Sequence, residues 1–330
     1  MSSLKDRLKR IKESNNTDVP KNFSGQGKEK KKDAPVLKGF YPCGFNVLKR
    51  EVTVTVSLNM NKKLPPALPV FIPDLQDRDI PLIKDFLFFD LETTGLSGGA
   101  GTVAFLAAFG KFDQNKKLTI TQYLLLDYPG ENDFLENVIK ELSQKNAVIV
   151  SYNGKCFDSQ IIKTRCLMNR MKNPQYCHAD LLHPSRRLWK NIINDCSQSS
   201  VETNILGLDR TGDIPGSLAP EIWFEFLKTG KTERLIGICD HNIKDITGLS
   251  TILTAMISIA EKPFETVNYK YDKERLAKFV YKYAYKQMKL GNCKEPLELI
   301  NKGLNILEPD TIWHGKLQRR KIRLEKVIKE

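Results

Sequence analysis

The alternation of apolar and polar positions predicts a sheet-based fold in the middle of the chain. Residues 86–89 form a short continuous apolar run, which is typical of a strand buried on both faces of a sheet. Residues 103–112 and 118–127 read as two strands joined by a polar turn, and residues 147–152 as another buried strand. Residues 131–143 have helical spacing, with acidic side chains in the first turn. Mostly helical patterns follow, so this order predicts an α/β protein with a mixed sheet.

The N-terminal flank divides into two parts. Residues 1–35 are polar and rich in lysine, and we expect them to form a disordered basic tail. Strict alternation from Val52 to Leu58 predicts a half-buried strand, which we expect to form a small hairpin with residues 44–49. The sequence therefore predicts a β-hairpin extension over 36–84 and a main α/β domain over 85–262.

The C-terminal flank, residues 265–330, predicts helices. The first two helical patterns are broken at Gly291 and ended at Pro309, and this pair resembles a tetratricopeptide hairpin. Isolated repeats of this kind seldom stand alone. We therefore expect a basic helical module that packs on the main domain or offers a surface to a protein partner.

Composition and charge suggest what the flanks do. The chain has 330 residues, 41% of them hydrophobic, which is typical of a globular protein. No apolar run approaches the roughly 18 residues of a membrane span, and the N-terminus lacks an apolar signal core, so we expect a cytoplasmic protein with no membrane partner. Of the net charge of +13, residues 1–35 carry +5, residues 262–330 carry +8 and the middle is neutral. Basic flanks suit a protein that holds a polyanion such as nucleic acid, although they also favour solubility.

Two familiar kinds of site are excluded by residue spacing. The seven cysteines are scattered without a CxxC pair, and His178 and His183 lack a third ligand at a suitable distance in sequence, so a zinc site is not expected. The glycine-rich segment 95–102 lacks the GK[ST] ending of a P-loop.

The first two clusters of acidic residues follow predicted strands. Asp90 and Glu92 lie two apart on the first buried strand, so their side chains point to the same face and repel each other unless a cation lies between them. Asp158 is predicted in the first turn of a helix that follows the 147–152 strand, with Asn153 on the connecting loop. Taken alone, Asp90 and Glu92 are also explained as the solvated end of a strand.

The third cluster lies on a long predicted helix. His241 and Asp245 are four residues apart, which puts them on one helical face. Such a pair is suited to a metal ligand and a base for the water that the metal activates. Asp240 is expected to cap or charge the start of this helix. By itself, His241 is also explained as a capping or solvated helix residue.

The three clusters stand in a recognisable order. The segments DLET, NGKCFD and HNIKD resemble the three motifs of the DnaQ-like, DEDD-type 3′-to-5′ exonucleases, and longer blocks such as FFDLETTGLSGGAGTVAFL and DLLHPSRRLW resemble the bacterial YprB-like family. The resemblance covers roughly residues 40–262. It implies a ribonuclease-H-like mixed sheet flanked by helices, followed by the C-terminal helical module.

The resemblance also implies roles for individual residues. The ligands of two Mg²⁺ or Mn²⁺ ions would be Asp90, Glu92, Asp158 and Asp245, and the general base would be His241. Nucleic acid would be contacted by Thr93, Leu96, Asn153 and Arg186. In the His-containing exonuclease subclass the His usually lies one position further from the last Asp, so this site resembles the Tyr-containing subclass with His in the Tyr position.

The leading hypothesis is a metal-dependent 3′-to-5′ exonuclease that hydrolyses phosphodiester bonds of DNA or RNA by a two-metal-ion mechanism. One alternative is a nucleic-acid-binding or scaffold protein on the same fold, which the presence of all four carboxylates disfavours. Another alternative is a structure-selective endonuclease, which the sequence does not separate from an exonuclease because both need the same metals.

Overall fold

A seven-stranded sheet with helices on both faces forms the centre of the molecule. The computed structural model describes residues 37–56, 64–75, 82–95, 99–113, 117–265 and 269–329. Over these residues the strands are β1 (Phe40–Gly44), β2 (Val47–Thr55), β3 (Phe86–Thr93), β4 (Ala104–Phe112), β5 (Lys117–Leu125), β6 (Val148–Ser151) and β7 (Cys177–Asp180). The predicted basic tail 1–35 lies outside the described residues.

Most of the helices that the structure describes come after the last strand in the sequence. They are α1 (Leu68–Phe71), α2 (Glu131–Leu142), α3 (Asp158–Met168), α4 (Leu182–Trp189), α5 (Gln198–Asn204), α6 (Ala219–Thr229), α7 (Glu233–Glu261), α8 (Lys273–Lys289), α9 (Lys294–Ile306) and α10 (Ile312–Lys329). The predicted α/β fold class, with a mixed sheet and C-terminal helices, is confirmed. The tetratricopeptide resemblance of the last helices stays a prediction.

The sheet places β3 between an antiparallel and a parallel neighbour. Its strand order is β1-β2-β5-β4-β3-β6-β7. Strand β3 runs antiparallel to β4 and parallel to β6. This arrangement fits the order predicted from the sequence, in which a strand is followed by an antiparallel pair, a helix and a second buried strand. Because β6 is parallel to β3, the helix that follows β6 begins at the same end of the sheet as the end of β3.

The N-terminal hairpin forms, but its turn differs from the prediction. Residues 44–49 were expected to pair with the alternating segment, whereas the turn lies at Phe45 and Asn46, and β2 already begins at Val47. Asn46 has a φ of +53°, which asparagine tolerates better than most residues. Strand β2 then pairs with β5 along its full length, so the hairpin continues the main sheet.

The alternation along β3 divides the core between the two faces of the sheet. Phe86 and Phe88 lie in one hydrophobic cluster together with Ile246 of α7. Leu87 and Phe89 lie in a second cluster on the other face. Because successive strand residues point to opposite faces, the next even-numbered residues of β3 point toward the α7 side.

Helix α7 begins earlier than the sequence analysis proposed. It starts at Glu233, so Asp240 lies inside the helix and not at its start. The predicted capping role of Asp240 is wrong, and its carboxylate accepts a hydrogen bond from Arg50 at 3.0 Å. The helix includes Gly237, where an added Cβ would overlap the side chain of Ile214, so tertiary packing explains a glycine that is unfavourable in an isolated helix.

Helix α7 is long and apolar enough to pass a length-and-composition test for a membrane span. Within the described residues it alone does so, and 67% of its most apolar window is buried inside the protein. Its buried side chains include Ile246, Leu249 and Ile252. This burial is that of a core helix, packed between the sheet and the surrounding helices.

The three C-terminal helices pack on the sheet domain. Phe279 of α8 stacks on Phe71 of α1, with ring centroids 5.1 Å apart. The indole N–H of Trp189 donates to the carbonyl of Lys270, just before α8, at 2.9 Å. Apolar residues of α8, α9 and α10 belong to the same core cluster as α7. The helical module therefore shares its hydrophobic core with the main fold.

Candidate active site

The end of β3 carries two acidic side chains toward helix α7. Asp90 and Glu92 continue the even-numbered series of Phe86 and Phe88, which faces that helix. The Nδ2 group of Asn242 on α7 donates to Oδ2 of Asp90 at 2.7 Å. The side chain of Glu92 is buried, with 8% of its surface exposed. Strand alternation and the crossing of α7 thus enclose both carboxylates.

The third carboxylate arrives from the neighbouring strand. Helix α3 begins at Asp158, which is buried. A Cβ at Gly154 would lie 2.7 Å from Oδ2 of Asp158, so the loop passes this carboxylate at a distance that only glycine permits. Asn153 adopts a left-handed φ of +65° on the same loop.

A fourth acid fixes that loop. Oδ1 of Asp180, at the end of β7, accepts the backbone N–H of Asn153 at 2.8 Å. Its other oxygen accepts the N–H of Lys155 at 3.1 Å. Asp180 is 3% exposed, and these bonds satisfy it from within the fold. Its role is to hold the loop that leads to Asp158.

Helix α7 supplies the imidazole and the last carboxylate. Nε2 of His241 lies 3.1 Å from Oδ2 of Asp245, so the four-residue spacing does bring the two onto one face. Ligand atoms of Glu92, His241 and Asp245 all lie within 4.8 Å of one another. Among the described residues this set has the geometry to hold a metal ion.

The neighbouring acidic side chains raise the pKa of Asp90. Burial raises the pKa of Asp90 well above its usual range, and the charges of Asp245, Glu92 and Asp158 raise it further. The other three predicted metal ligands thus lie near enough to Asp90 to disfavour its charged form, and the ligand role of all four stays a prediction.

Burial also dominates at the other two acids. It raises the pKa of Glu92 to about 8, with Asp245 and Asp158 adding to the effect and His241 opposing it. It raises the pKa of Asp158 to about 7, with Asp180 adding to the effect. Clustered buried carboxylates are the donor set that a hard divalent cation requires, so the residues present fit Mg²⁺ or Mn²⁺.

His241 is held between two carboxylates. Besides its contact with Asp245, its Nδ1 lies 2.9 Å from Oδ2 of Asp213. Burial alone would lower the pKa of His241, but the hydrogen bond and charge of Asp245, together with Asp213 and Glu92, raise it to about 9. The ring is therefore protonated at neutral pH in this arrangement.

Arg210 neutralises part of the acidic cluster from the outer side. Its Nη2 lies 2.7 Å from Oδ1 of Asp245, and its Nη1 lies 2.9 Å from Oδ2 of Asp213. Its Nε donates to the fully buried Glu202 at 2.7 Å. A Cβ at Gly248 would overlap the Glu202 carboxylate, so glycine on α7 makes room for this network. Arg210 and Glu202 fix the orientation of Asp245.

Three site residues were missed by sequence reasoning. Asn242 directly follows His241 in the segment HNIKD, so the sequence already placed it on the helix that carries His241 and Asp245. Arg210 and Asp213 lie in the loop between α5 and α6, 35 and 28 residues before their partners Asp245 and His241. A loop without periodicity gives no sequence signal for such contacts.

The predicted nucleic-acid contacts differ in their surroundings. Thr93 is buried, and its hydroxyl donates to the carbonyl of Gly95 at 2.9 Å. Asn153 is exposed on the loop before Asp158, and Arg186 is exposed on α4. Leu96 lies outside the described residues.

Comparison with known proteins identifies the fold family. A model of the RNase_H superfamily matches residues 87–257, slightly more than half of the chain. The uncharacterized protein YprB of Bacillus subtilis (strain 168) is 37% identical over 176 residues, which cover 52% of this chain and 42% of that protein. The match therefore spans less than half the length of this curated relative. The predicted resemblance to a YprB-like, ribonuclease-H-like family is confirmed.

Solved structures give more distant matches. The family B DNA polymerase of the hyperthermophilic archaeon Pyrobaculum calidifontis has a TM-score of 0.44 at 11% identity, covering 73% of this chain and 46% of that one. An ExoI/SSB-Ct complex has a TM-score of 0.36 at 15% identity, covering 62% and 45%. Apo exonuclease I has a TM-score of 0.32 at 11% identity, covering 74% and 99%.

The carboxylate cluster predicts opposite effects of Asp90→Asn with and without metal. Without metal, the substitution replaces a carboxyl group whose charged form is disfavoured by burial and by the neighbouring acids, so we expect an unchanged or higher Tm at pH 7.5. With Mn²⁺ at about 100 times its Kd, the native chain should gain on the order of 5 °C in Tm, whereas the variant should gain much less. Differential scanning calorimetry measures both effects.

Asp240→Asn is the matched control for this test. It makes the same substitution on α7, but Asp240 pairs with Arg50 and is not a member of the carboxylate cluster. Its Mn²⁺-dependent gain should equal that of the native chain. An undiminished gain in Asp90→Asn would remove Asp90 from the metal ligands.

Proposed function

Because the chain belongs to the RNase_H superfamily, we propose that it is a metal-dependent nuclease that hydrolyses phosphodiester bonds of nucleic acid. The observation that carries the proposal is the meeting of four acids, Asp90, Glu92, Asp158 and Asp245, beside the imidazole of His241. The other three acids each influence the ionisation of Asp90. The proposed direction is 3′ to 5′, with release of nucleoside 5′-monophosphates.

The acidic residues hold the metal in this proposal. Glu92 and Asp245 lie close enough together to share one ion, and Asp90 and Asp158 complete the donor set for two. Bound Mg²⁺ or Mn²⁺ would supply Lewis-acid chemistry for hydrolysis at phosphorus. Arg210 and Asn242 keep Asp245 and Asp90 in place, because each donates to one carboxylate oxygen and leaves the other free of that bond.

His241 accepts the proton of the attacking water in this proposal. Its pKa of about 9 depends on Asp245, so the ring would act as a base once a cation held by Glu92 and Asp245 neutralised that carboxylate. Asp213 then holds the Nδ1–H group, which leaves Nε2 as the atom that takes the proton. Gly216 packs against this edge of the ring, where a Cβ would lie 3.0 Å from Nε2.

Three residues of the predicted nucleic-acid contacts are proposed to meet the substrate. Asn153 stands on the loop that leads to Asp158 and can donate to a phosphate or sugar oxygen. Arg186 is exposed on α4 and can pair with a phosphate. Thr93 uses its hydroxyl within its own turn, so its proposed contact with the terminal nucleotide is an apolar one through its methyl group.

Oligonucleotide cleavage tests the proposed function. We expect the purified chain to degrade labelled DNA or RNA in Mn²⁺ or Mg²⁺, to be inactive with chelator, and to lose activity by several orders of magnitude in Asp90→Ala. Cleavage of 5′-labelled substrate one nucleotide at a time would establish the 3′-to-5′ direction, and internal fragments would establish an endonuclease instead. Absence of cleavage that both metal and Asp90 control would contradict the nuclease and favour a binding protein.

The proton-transfer step predicts a graded response at His241 and its partner. His241→Ala should lower kcat by about 10²–10⁴-fold, the range of a general base, with little change in the Mn²⁺-dependent Tm. Asp213→Asn should have a smaller effect, because it weakens the orientation of the ring and not the base itself. The kcat and its pH profile on one oligonucleotide measure both. An unchanged kcat in His241→Ala would remove His241 from the mechanism.

A further inference from the structure

A second surface with suitable chemistry lies on the C-terminal helices. Residues 262–330 carry a net charge of +8. On this module, aromatic and basic side chains of α8 and α10 alternate in one patch. We call this patch the basic aromatic face, and its members are Lys278, Tyr281 and Tyr285 of α8 and Trp313, Lys316 and Arg320 of α10.

The cations of this face lie over the rings. Nζ of Lys316 is 4.3 Å from the centroid of Trp313, and Nζ of Lys278 is 5.8 Å from the same ring. Tyr281 meets Trp313 edge to face at 6.0 Å, which joins the two helices. Tyr285 has 43% of its surface exposed. The rings are thus held in place and remain partly open to a ligand.

Arg320 is a buried cation beside two tyrosine rings of α8. Its guanidinium lies 4.3 Å from the ring of Tyr281 and 4.8 Å from that of Tyr285. The residue is only 4% exposed, and its Nε and Nη1 have no hydrogen-bond partner among the residues that the structure describes. A buried cation with unpaired donors is costly. It indicates that an anion completes this face.

A cavity adjoins the face. It has a volume of about 450 Å³ and is lined by Trp313, Lys278, Arg275, Asn191, Asp272 and Glu274. The mixture of donors and acceptors in this cavity suits the edge of a nucleobase. It suits a phosphate less well, because the two carboxylates would repel one. An exposed ring, a buried cation with unpaired donors and a polar cavity therefore all involve or adjoin the basic aromatic face.

We propose that the basic aromatic face binds single-stranded nucleic acid, as a second contact for the strand whose end lies in the active site. The statement that the same strand also enters the active site depends on the proposed nuclease function. Unpaired bases stack on the exposed rings, and phosphates pair with Lys278, Lys316 and Arg320. A duplex keeps its bases stacked on one another, so it cannot use the rings. DNA and RNA share the bases and phosphates that this face recognises.

The test is equilibrium binding by the full chain in chelator, which prevents cleavage. Fluorescence anisotropy of labelled oligothymidylate and oligouridylate gives the Kd of each. Tyr285→Ala should weaken binding about 10-fold, as the loss of one stacked base does, and Tyr285→Phe should keep native affinity because the ring remains. If oligouridylate alone binds, the strand is RNA, and if both bind, the sugar is not recognised.

Charge reversal on the face has a matched control. Lys278→Glu with Lys316→Glu removes two proposed phosphate contacts, and the slope of log Kd against log salt should become shallower by about 1–2. Lys273→Glu with Lys294→Glu changes the net charge equally at the first turns of α8 and α9, outside the face. The control should keep the native slope. Thermal melts establish that all variants fold.

Several binding results would overturn the proposal. They are equal losses in the face variant and its control, equal affinity for a duplex of the same length, and full native affinity in Tyr285→Ala. Competition by polyglutamate as strong as that by the oligonucleotide would point to an acidic protein partner and also overturn it. A separate assay distinguishes failure of the nuclease proposal from failure of the binding proposal. It measures hydrolysis of a p-nitrophenyl ester of thymidine 5′-monophosphate by the native chain. No hydrolysis would argue against the nuclease, whatever the binding results.

Discussion

Repulsion among clustered carboxylates is the constraint on which the rest of the site depends. Asp90, Glu92, Asp158 and Asp245 come from one strand and two helices, and folding itself brings their charges together. Burial raises the pKa of Glu92 to about 8 and that of Asp158 to about 7, so each is ionised at a free-energy cost without a cation. A fold that maintains such a cluster retains a local instability that a bound divalent cation relieves.

The surrounding structure keeps this cluster in shape. Helix α7 crosses the face of β3 and contributes Asn242, which donates to Asp90, as well as His241 and Asp245. Arg210 links Asp245 to the buried Glu202, and Gly248 leaves the space that Glu202 occupies. These contacts hold two of the repelling carboxylates in place, since Asp90 accepts a hydrogen bond from Asn242 and Asp245 accepts one from Arg210.

Sequence reasoning located the elements that obey a local period and missed what depends on tertiary contact. The period-two pattern put Asp90 and Glu92 on one face of β3, and the helical period put His241 and Asp245 together. The predicted start of α7 was wrong. Gly237 is unfavourable in an isolated helix, but in the fold it leaves the space that the side chain of Ile214 occupies. Arg210 and Asp213 were missed because their loop has no periodicity and their partners lie far along the chain. The turn at Asn46 was misplaced because two residues suffice to reverse the hairpin.

The most direct test of the central claim is the proton release that accompanies metal binding. Isothermal titration of Mn²⁺ into the metal-free chain at pH 7, in two buffers of different ionisation enthalpy, measures the protons displaced. Groups with folded-state pKa values raised to this range still carry protons at pH 7, and cations must displace them. The account predicts release of about one or more protons per chain. Mn²⁺ binding with a heat that does not depend on the buffer would contradict it.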